Sequence, residues 1–295
     1  MVESQSNCPR RDVGLRPYAF RGGIYGALAV LILGFMAASA PAQDFLSNVE
    51  LCNGKDRSSP EPQIRGCSEL IKNNADNVII LSLAYNNRGN AYTTQGQYDL
   101  AIDDFTKSIN LNPGFAKPLN NRGVAHKKQG ELDLAMKDFD AAINLDSNYA
   151  DAYANRAQLR EKQGDLTAAL KDLDEAIRAQ PDADGIWNER CWARAKNGDV
   201  QGALGDCNEA IRREPNVATD LDSRGFVYLR SGQLDLAITD FNSALRLDPK
   251  LASALYGRGV AKQRKGDSAG AKTDIAAAQA INQNITAEYA GYGVR

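Results

Sequence analysis

A block of 34 residues recurs six times without a gap, beginning at Ser82, Ala116, Ala150, Asp184, Ala218 and Ala252. Numbering each copy from 1, position 8 reads Gly89, Gly123, Ala157, Cys191, Gly225 and Gly259. Position 15 is Gly96, Gly130, Gly164, Gly198, Gly232 and Gly266, and position 20 is Ala101, Ala135, Ala169, Ala203, Ala237 and Ala271. A fixed period of this length constrains the fold strongly. A unit so short cannot bury its apolar face alone, so the copies must stack on one another.

Within one copy, Tyr85, Gly89 and Tyr92 share one helical face, as do Tyr98, Ala101, Ile102, Phe105 and Ile109 after the break at Gln95-Gly96-Gln97. The spacing predicts a helix, a turn and a second helix. Glycine at position 15 suits the left-handed residue that closes the first helix, and Pro113, Pro181, Pro215 and Pro249 at position 32 are expected to stop the second. Small residues at positions 8 and 20 are expected where the two antiparallel helices cross most closely.

These positions resemble the tetratricopeptide repeat (TPR). Its pattern of small residues at 8, 20 and 27, an aromatic at 24 and proline at 32 is matched by Gly89, Ala101, Ser108, Phe105 and Pro113. The resemblance runs from Ser82 to about Ile285. It implies an all-α fold, a right-handed superhelical solenoid of antiparallel helix pairs, with repeats at 82–115, 116–149, 150–183, 184–217, 218–251 and 252–285. The departures are local: Cys191 at position 8, Cys207 at position 24, and Ser147 and Gln283 in place of proline.

Residues 1–42 stand outside the repeats. Arg10, Arg11, Arg16 and Arg21 precede an apolar run from Ile24 to Ala38, followed by Ala40-Pro41-Ala42. This is the order of a signal peptide cleaved after Ala42, and a periplasmic location is expected. Arg10-Arg11 is only a weak sign of twin-arginine export, given Asp12 and the distance to the apolar run. The alternative is an uncleaved inner-membrane anchor, the run being at the short limit for a span. That would be the chain's one membrane association, and either reading puts the repeats on the same side.

Cys52, Cys67, Cys191 and Cys207 remain after the leader, in pairs 15 and 16 apart. Each pair would join the helices of one hairpin as a structural disulfide, as an oxidising compartment allows; the alternative is four reduced, buried thiols. Residues 43–81 read as a degenerate capping helix pair, with Ser58-Ser59-Pro60-Glu61-Pro62 as its turn. Asn284 to Ala290 reads as a final short helix covering the last repeat, ahead of a frayed Gly291 to Arg295 tail, so that residues 286–295 form a C-terminal cap helix and tail beyond the sixth repeat. Arginine at position 7 and aspartate at position 23 recur in every copy. They are expected to form ion pairs within a repeat or between neighbours, or else to be solvated charge.

The net charge of −2 and the lack of a basic region argue against a nucleic-acid partner. No catalytic constellation, metal-ligand spacing or cofactor motif is found, and His126, the single histidine, stands at the packing position 11. The chain is therefore read as no enzyme, with no cofactor and no metal. The resemblance implies that the first helices line a groove, exposing positions 2, 5, 6, 9, 12 and 13. There the chain carries Asn86, Asn87, Asn120, Asn121, Asn155 and Asn188, and the cations Lys128, Lys162, Lys196, Arg230 and Arg264. Evenly spaced carboxamides can donate to and accept from one extended peptide backbone. The row is similar to the asparagine ladder in the repeat region of O-linked N-acetylglucosamine transferase. The cations would make one wall basic, or serve only the helix dipole. Trp187 and Trp192 read as packing residues. The expected function is a non-catalytic scaffold of the envelope holding a segment of a partner protein or peptide. The alternative is a rigid accessory in envelope assembly or polysaccharide export, docking by its outer surface or ends.

Overall fold

The structure is a computed structural model that describes residues 40–54, 59–183 and 185–294. The arginines and apolar run of the expected leader lie outside the described residues. The described residues hold fifteen helices and no strand. Helices α1 (Ala40–Cys52) and α2 (Pro60–Asn73) precede the repeats. The six copies supply α3 (Val78–Thr94) with α4 (Tyr98–Leu111), α5 (Ala116–Gln129) with α6 (Leu132–Leu145), and α7 (Ala150–Lys162) with α8 (Leu166–Ala179). They continue with α9 (Ile186–Asn197) and α10 (Val200–Arg213), α11 (Ala218–Arg230) and α12 (Leu234–Leu247), and α13 (Ala252–Arg264) and α14 (Ser268–Ile281). Helix α15 (Ile285–Gly291) follows. The described residues divide into two compact units, residues 40–156 and 157–294, with the division inside α7.

Local chemistry explains the hairpins. The position-15 glycines all have φ between +73° and +90°, and a Cβ on any of them would meet nothing within 4 Å. Glycine is needed there for its conformation, not for space. The reverse holds at position 8. A Cβ on Gly89, Gly123 or Gly225 would lie 2.7, 2.7 or 2.8 Å from the ring of Phe105, Phe139 or Phe241, the fully buried position-24 side chain. In the fourth copy the same two positions are Cys191 and Cys207, and the glycine-under-phenylalanine contact is replaced by a disulfide with a Cα–Cα distance of 5.3 Å. Cys52 and Cys67 form a second disulfide between α1 and α2, with Cα atoms 4.6 Å apart. Asp165, Asp199 and Asp267 cap α8, α10 and α14 by accepting from the amide three residues on.

Two expectations are corrected. The second helix ends at position 30 in all six copies, including those with Ser147 and Gln283 at position 32, so proline is not what stops it. Each of these helices ends in a residue at position 31, Asn112 to Asn282, whose amide still bonds back to position 27 while its ψ has turned extended. The tight turn into the next repeat sets the end. In the capping pair, Pro60 to Pro62 form the first turn of α2, where a missing N–H costs nothing, and the connection lies before them.

The recurring arginine and aspartate are paired. Arg88–Asp104, Arg122–Asp138, Arg190–Asp206, Arg224–Asp240 and Arg258–Asp274 are bidentate, with Nε and Nη2 donating to the two carboxylate oxygens at 2.6–2.9 Å. The remaining Nη1 donates to position 25 of the preceding copy: Thr106 from Arg122, Asn208 from Arg224 and Asn242 from Arg258. Ser68 of the capping pair plays this part for Arg88. One guanidinium thus ties its own hairpin together and fixes the register of the hairpin before it. The hydrogen bond to Asp104 holds the Arg88 guanidinium above its ordinary range.

Candidate functional site

In the N-terminal unit the first helices bring the expected asparagines together, but not as free groups. Asn86, Asn120, Asn121 and Asn155 are 1%, 4%, 6% and 4% exposed. Their carboxamides bond to one another: Asn121 Nδ2 donates to Asn86 Oδ1 at 3.0 Å, and Asn155 Nδ2 to Asn120 Oδ1 at 3.0 Å. Asn86 Nδ2 donates to Asn87 Oδ1, and Asn87 donates in turn to Asn53 of the capping pair. The expectation of an exposed row is therefore corrected: positions 5 and 6 close an inter-repeat chain of amides, which satisfies buried polar groups and holds register. Each amide still keeps part of its bonding capacity. Asn188, in the C-terminal unit, stands apart from this row, and its buried Oδ1 has no hydrogen-bond partner among the described residues.

The position-13 cations divide as well. Lys128 and Lys162 are exposed. Lys196 pairs with Glu161 at 3.0 Å, and Arg230 and Arg264 donate to the carbonyls of Ala195 and Leu229, in the last turn of the preceding first helix. Those carbonyls, which already accept a backbone amide, gain a second donor, and the helix dipole is met by positive charge. A continuous basic wall is not what Lys196 and Arg230 make.

The C-terminal unit holds what the sequence reading missed. Residues 285–294 pack back onto the repeats rather than standing clear of them. Ile285, Tyr289 and Val294 are almost fully buried, and Tyr292 is half-buried. Tyr289 packs on Phe226 and Tyr256 with centroids 5.6 and 4.7 Å apart, and its Oη donates to the Ser253 carbonyl at 2.7 Å. Tyr292 sets its edge against Trp192 at 5.3 Å and lies 4.7 Å below the Lys196 ammonium. Trp192 and Phe226 are position 9 of the fourth and fifth copies and Tyr256 is position 5 of the sixth, so α15 sits on the first helices rather than over the last repeat alone. Trp192 is buried as a result. The signal that could have revealed this was large aromatic residues at positions expected to be exposed, together with the Tyr-x-x-Tyr spacing of the tail.

Asp222, at position 5 of the fifth copy, is fully buried. It accepts from Ser253 Oγ at 2.6 Å through Oδ2, while Oδ1 has no partner among the described residues. Burial raises its carboxyl to about 7. His126 Nδ1 donates to Glu131 Oε2 at 2.6 Å on the half-buried face of α5. A cavity of about 380 Å³ lies between Trp187, Ala183 and Arg213, and Arg213 is bonded to Asp182 and Glu209. No cluster of histidine, cysteine, aspartate or glutamate able to hold a metal occurs among the described residues. No described helix is long and apolar enough to cross a membrane.

Comparison with known proteins agrees with this architecture. Family models described as tetratricopeptide repeat match residues 82–115 and 154–218, and one described as TPR repeat matches 127–164 and 225–266. No curated protein matches the chain in sequence. Among solved structures, the Cut9 and Hcn1 hetero-tetramer of APC/C aligns with a TM-score of 0.69 at 17% identity over 84% of this chain and 48% of that one. A tetratricopeptide repeat protein of Parabacteroides merdae aligns at 0.61 and 16% over 85% and 98%. YrrB, described as a TPR protein with an unusual peptide-binding site, aligns at 0.50 and 24% over 64% and 97%. Proteins of this kind are typically non-catalytic scaffolds and generally bind protein or peptide partners. The recurring small residues, the paired helices that they close upon and the matches across the repeats together place this chain in the tetratricopeptide-repeat family.

Proposed function

We propose that this chain is a non-catalytic scaffold of the cell envelope that holds a segment of a partner protein against the first helices of its repeats. The observation that carries the reading is the seating of residues 285–294 on α9, α11 and α13, because a face that takes a peptide of its own chain has the depth and apolar anchors to take another. The peptide-binding site named for YrrB supports the same assignment. Export is supported by the arginines and apolar run before Ala42 and by the two disulfides, which an oxidising compartment maintains. In the N-terminal unit, Asn87, Lys128 and Lys162 are the expected members of the face that remain at least partly exposed.

The test is a photo-crosslinking amino acid placed in the full chain at Leu83 on a first helix and, separately, at Leu134 on a second helix. Both side chains are exposed in the structure. Partner adducts from position 83 but not from 134 are expected, and adducts from 134 alone would refute the reading. The second reading, a spacer that docks through its second helices, has an observation of its own. Leu100, Leu134 and Leu145 in one unit, and Leu236, Leu247 and Ile281 in the other, are exposed at repeat positions 19 and 30.

A further inference from the structure

We propose that α15 and the residues after it occupy a recognition site for aromatic peptides, and that the partner is a short segment presenting two aromatic side chains at i and i+3 that displaces them. This rests on the reading that first helices are the binding face, and it names the ligand class for the C-terminal unit.

The occupant shows what the site accepts. Ile285, Tyr289 and Tyr292 recur at i, i+4 and i+7, which puts them on one side of a helical segment. The backbone then turns through Gly293 at φ +76°, with Val294 N–H donating to the Tyr289 carbonyl at 3.0 Å, and this returns Val294 to the apolar surface. The receiving side chains are Trp192, Phe226 and Tyr256, one from each of three successive repeats. Each aromatic ring of the tail has a ring partner and one further anchor: the Ser253 carbonyl for the Tyr289 hydroxyl, and the Lys196 ammonium for the face of the Tyr292 ring. An aliphatic side chain could use neither, and an acidic one could meet the ammonium but not the rings.

The occupant also fits incompletely. Trp192, on which Tyr292 packs, keeps a buried Nε1 with no hydrogen-bond partner among the described residues, as do Asn188 Oδ1 and Asp222 Oδ1 in the same two repeats. They lie at positions 5 and 9 of adjacent repeats, and Asp222 is bonded to Ser253, whose carbonyl receives the Tyr289 hydroxyl. A partner offering an acceptor to Trp192 Nε1 would gain a bond that the tail does not make, because leaving such a group unpaired is costly. The helix is moreover only seven residues long, too short to hold its shape without the surface beneath it. Such a segment can leave as a unit while the repeats stay folded.

The test uses the full chain carrying Tyr289→Ala and Tyr292→Ala, titrated with a fluorescein-labelled peptide of the chain's own residues 282–295. The variant is expected to bind this peptide at least tenfold more tightly than the wild type does. It should not bind a peptide with both tyrosines replaced by alanine, and a further Phe226→Ala change should abolish binding. A variant of unchanged helicity that takes up no peptide, or takes it up regardless of Phe226, would overturn the proposal. Should the variant fail to fold, hydrogen exchange on the wild type decides. Amides of 286–294 are expected to exchange at least a hundredfold faster than those of α13, and equal protection would overturn it. A wild-type dimer formed by exchanging tails would also overturn it, with a second copy as the occupant. Adducts from position 83 surviving alongside a negative peptide result would sink this inference alone, whereas loss of both would sink the broader reading.

Discussion

Replacing Asp240 with asparagine tests whether the arginine ladder supports the stack or merely decorates it. Asp240 is 7% exposed at its side chain and Arg224 23%, so the pair is largely withdrawn from water. Asparagine keeps the shape and one acceptor, but it removes the charge and one of the two bonds made by Nε and Nη2. A hydrogen bond to a charged group contributes about 1.5–3 kcal/mol, and stranding a buried charge costs about 3–5 kcal/mol; partial exposure of Arg224 and the acceptor left on asparagine favour the lower end. The expected loss is about 2–3 kcal/mol, a fall in Tm of roughly 4–6 °C for a chain of this size. Thermal unfolding followed by circular dichroism measures it, and hydrogen exchange should place the weakening in α11 and α12. The control is Asp103→Asn, which breaks an exposed pair with Lys107 and should cost at most about 0.5 kcal/mol. Equal melting temperatures for the two variants would refute the argument.

Other outcomes follow from the same structure. Replacing both Cys191 and Cys207 with alanine reopens a loop of 16 residues and should cost about 3 kcal/mol on the chain-entropy estimate, read as a lowered Tm that reducing agent no longer affects. Gly123→Ala should cost about 1–3 kcal/mol by forcing a Cβ to within 2.7 Å of Phe139, whereas Gly130→Ala should cost about 1–2 kcal/mol with no contact at all, through its φ of +85°. Burial raises Asp222 to about 7 while the unfolded carboxyl titrates near 4. The neutral form therefore favours the fold below about pH 4, and that contribution is lost as pH rises through 7. Asp222→Asn should accordingly flatten the decline in stability between about pH 4 and 7. An unchanged slope in denaturant titrations at pH 4, 5.5 and 7.5 would show that burial of Asp222 is not its source.

The repeat, the helix pairs, the left-handed glycines, both cysteine pairs and the partners of Arg88 and Asp104 could all be read from one line of sequence. Each depends on contacts inside one helix pair or between neighbours; periodicity records the glycines and the ion pairs six times over, and sequence spacing alone marks the cysteines. What periodicity could not record is how a position is used once its neighbours are in place. Asn86, Asn120, Asn121 and Asn155 occupy positions that a single repeat would leave open; stacking brings amides 35 residues apart within bonding distance and spends them on each other. Lys196 and Arg230, written as part of a stripe, were taken up by a carboxylate and a carbonyl of the preceding repeat. The placement of Tyr289 and Tyr292 lay furthest from reach. It joins a non-repeating tail to side chains on three different helices, and no local pattern encodes a contact between residues 100 positions apart. The sequence by itself determined which residues form each hairpin and how adjacent hairpins lock, because those forces act over one period. The tertiary structure alone decided which polar groups remained open and which apolar surface was already covered, because burial depends on everything that packs against a residue.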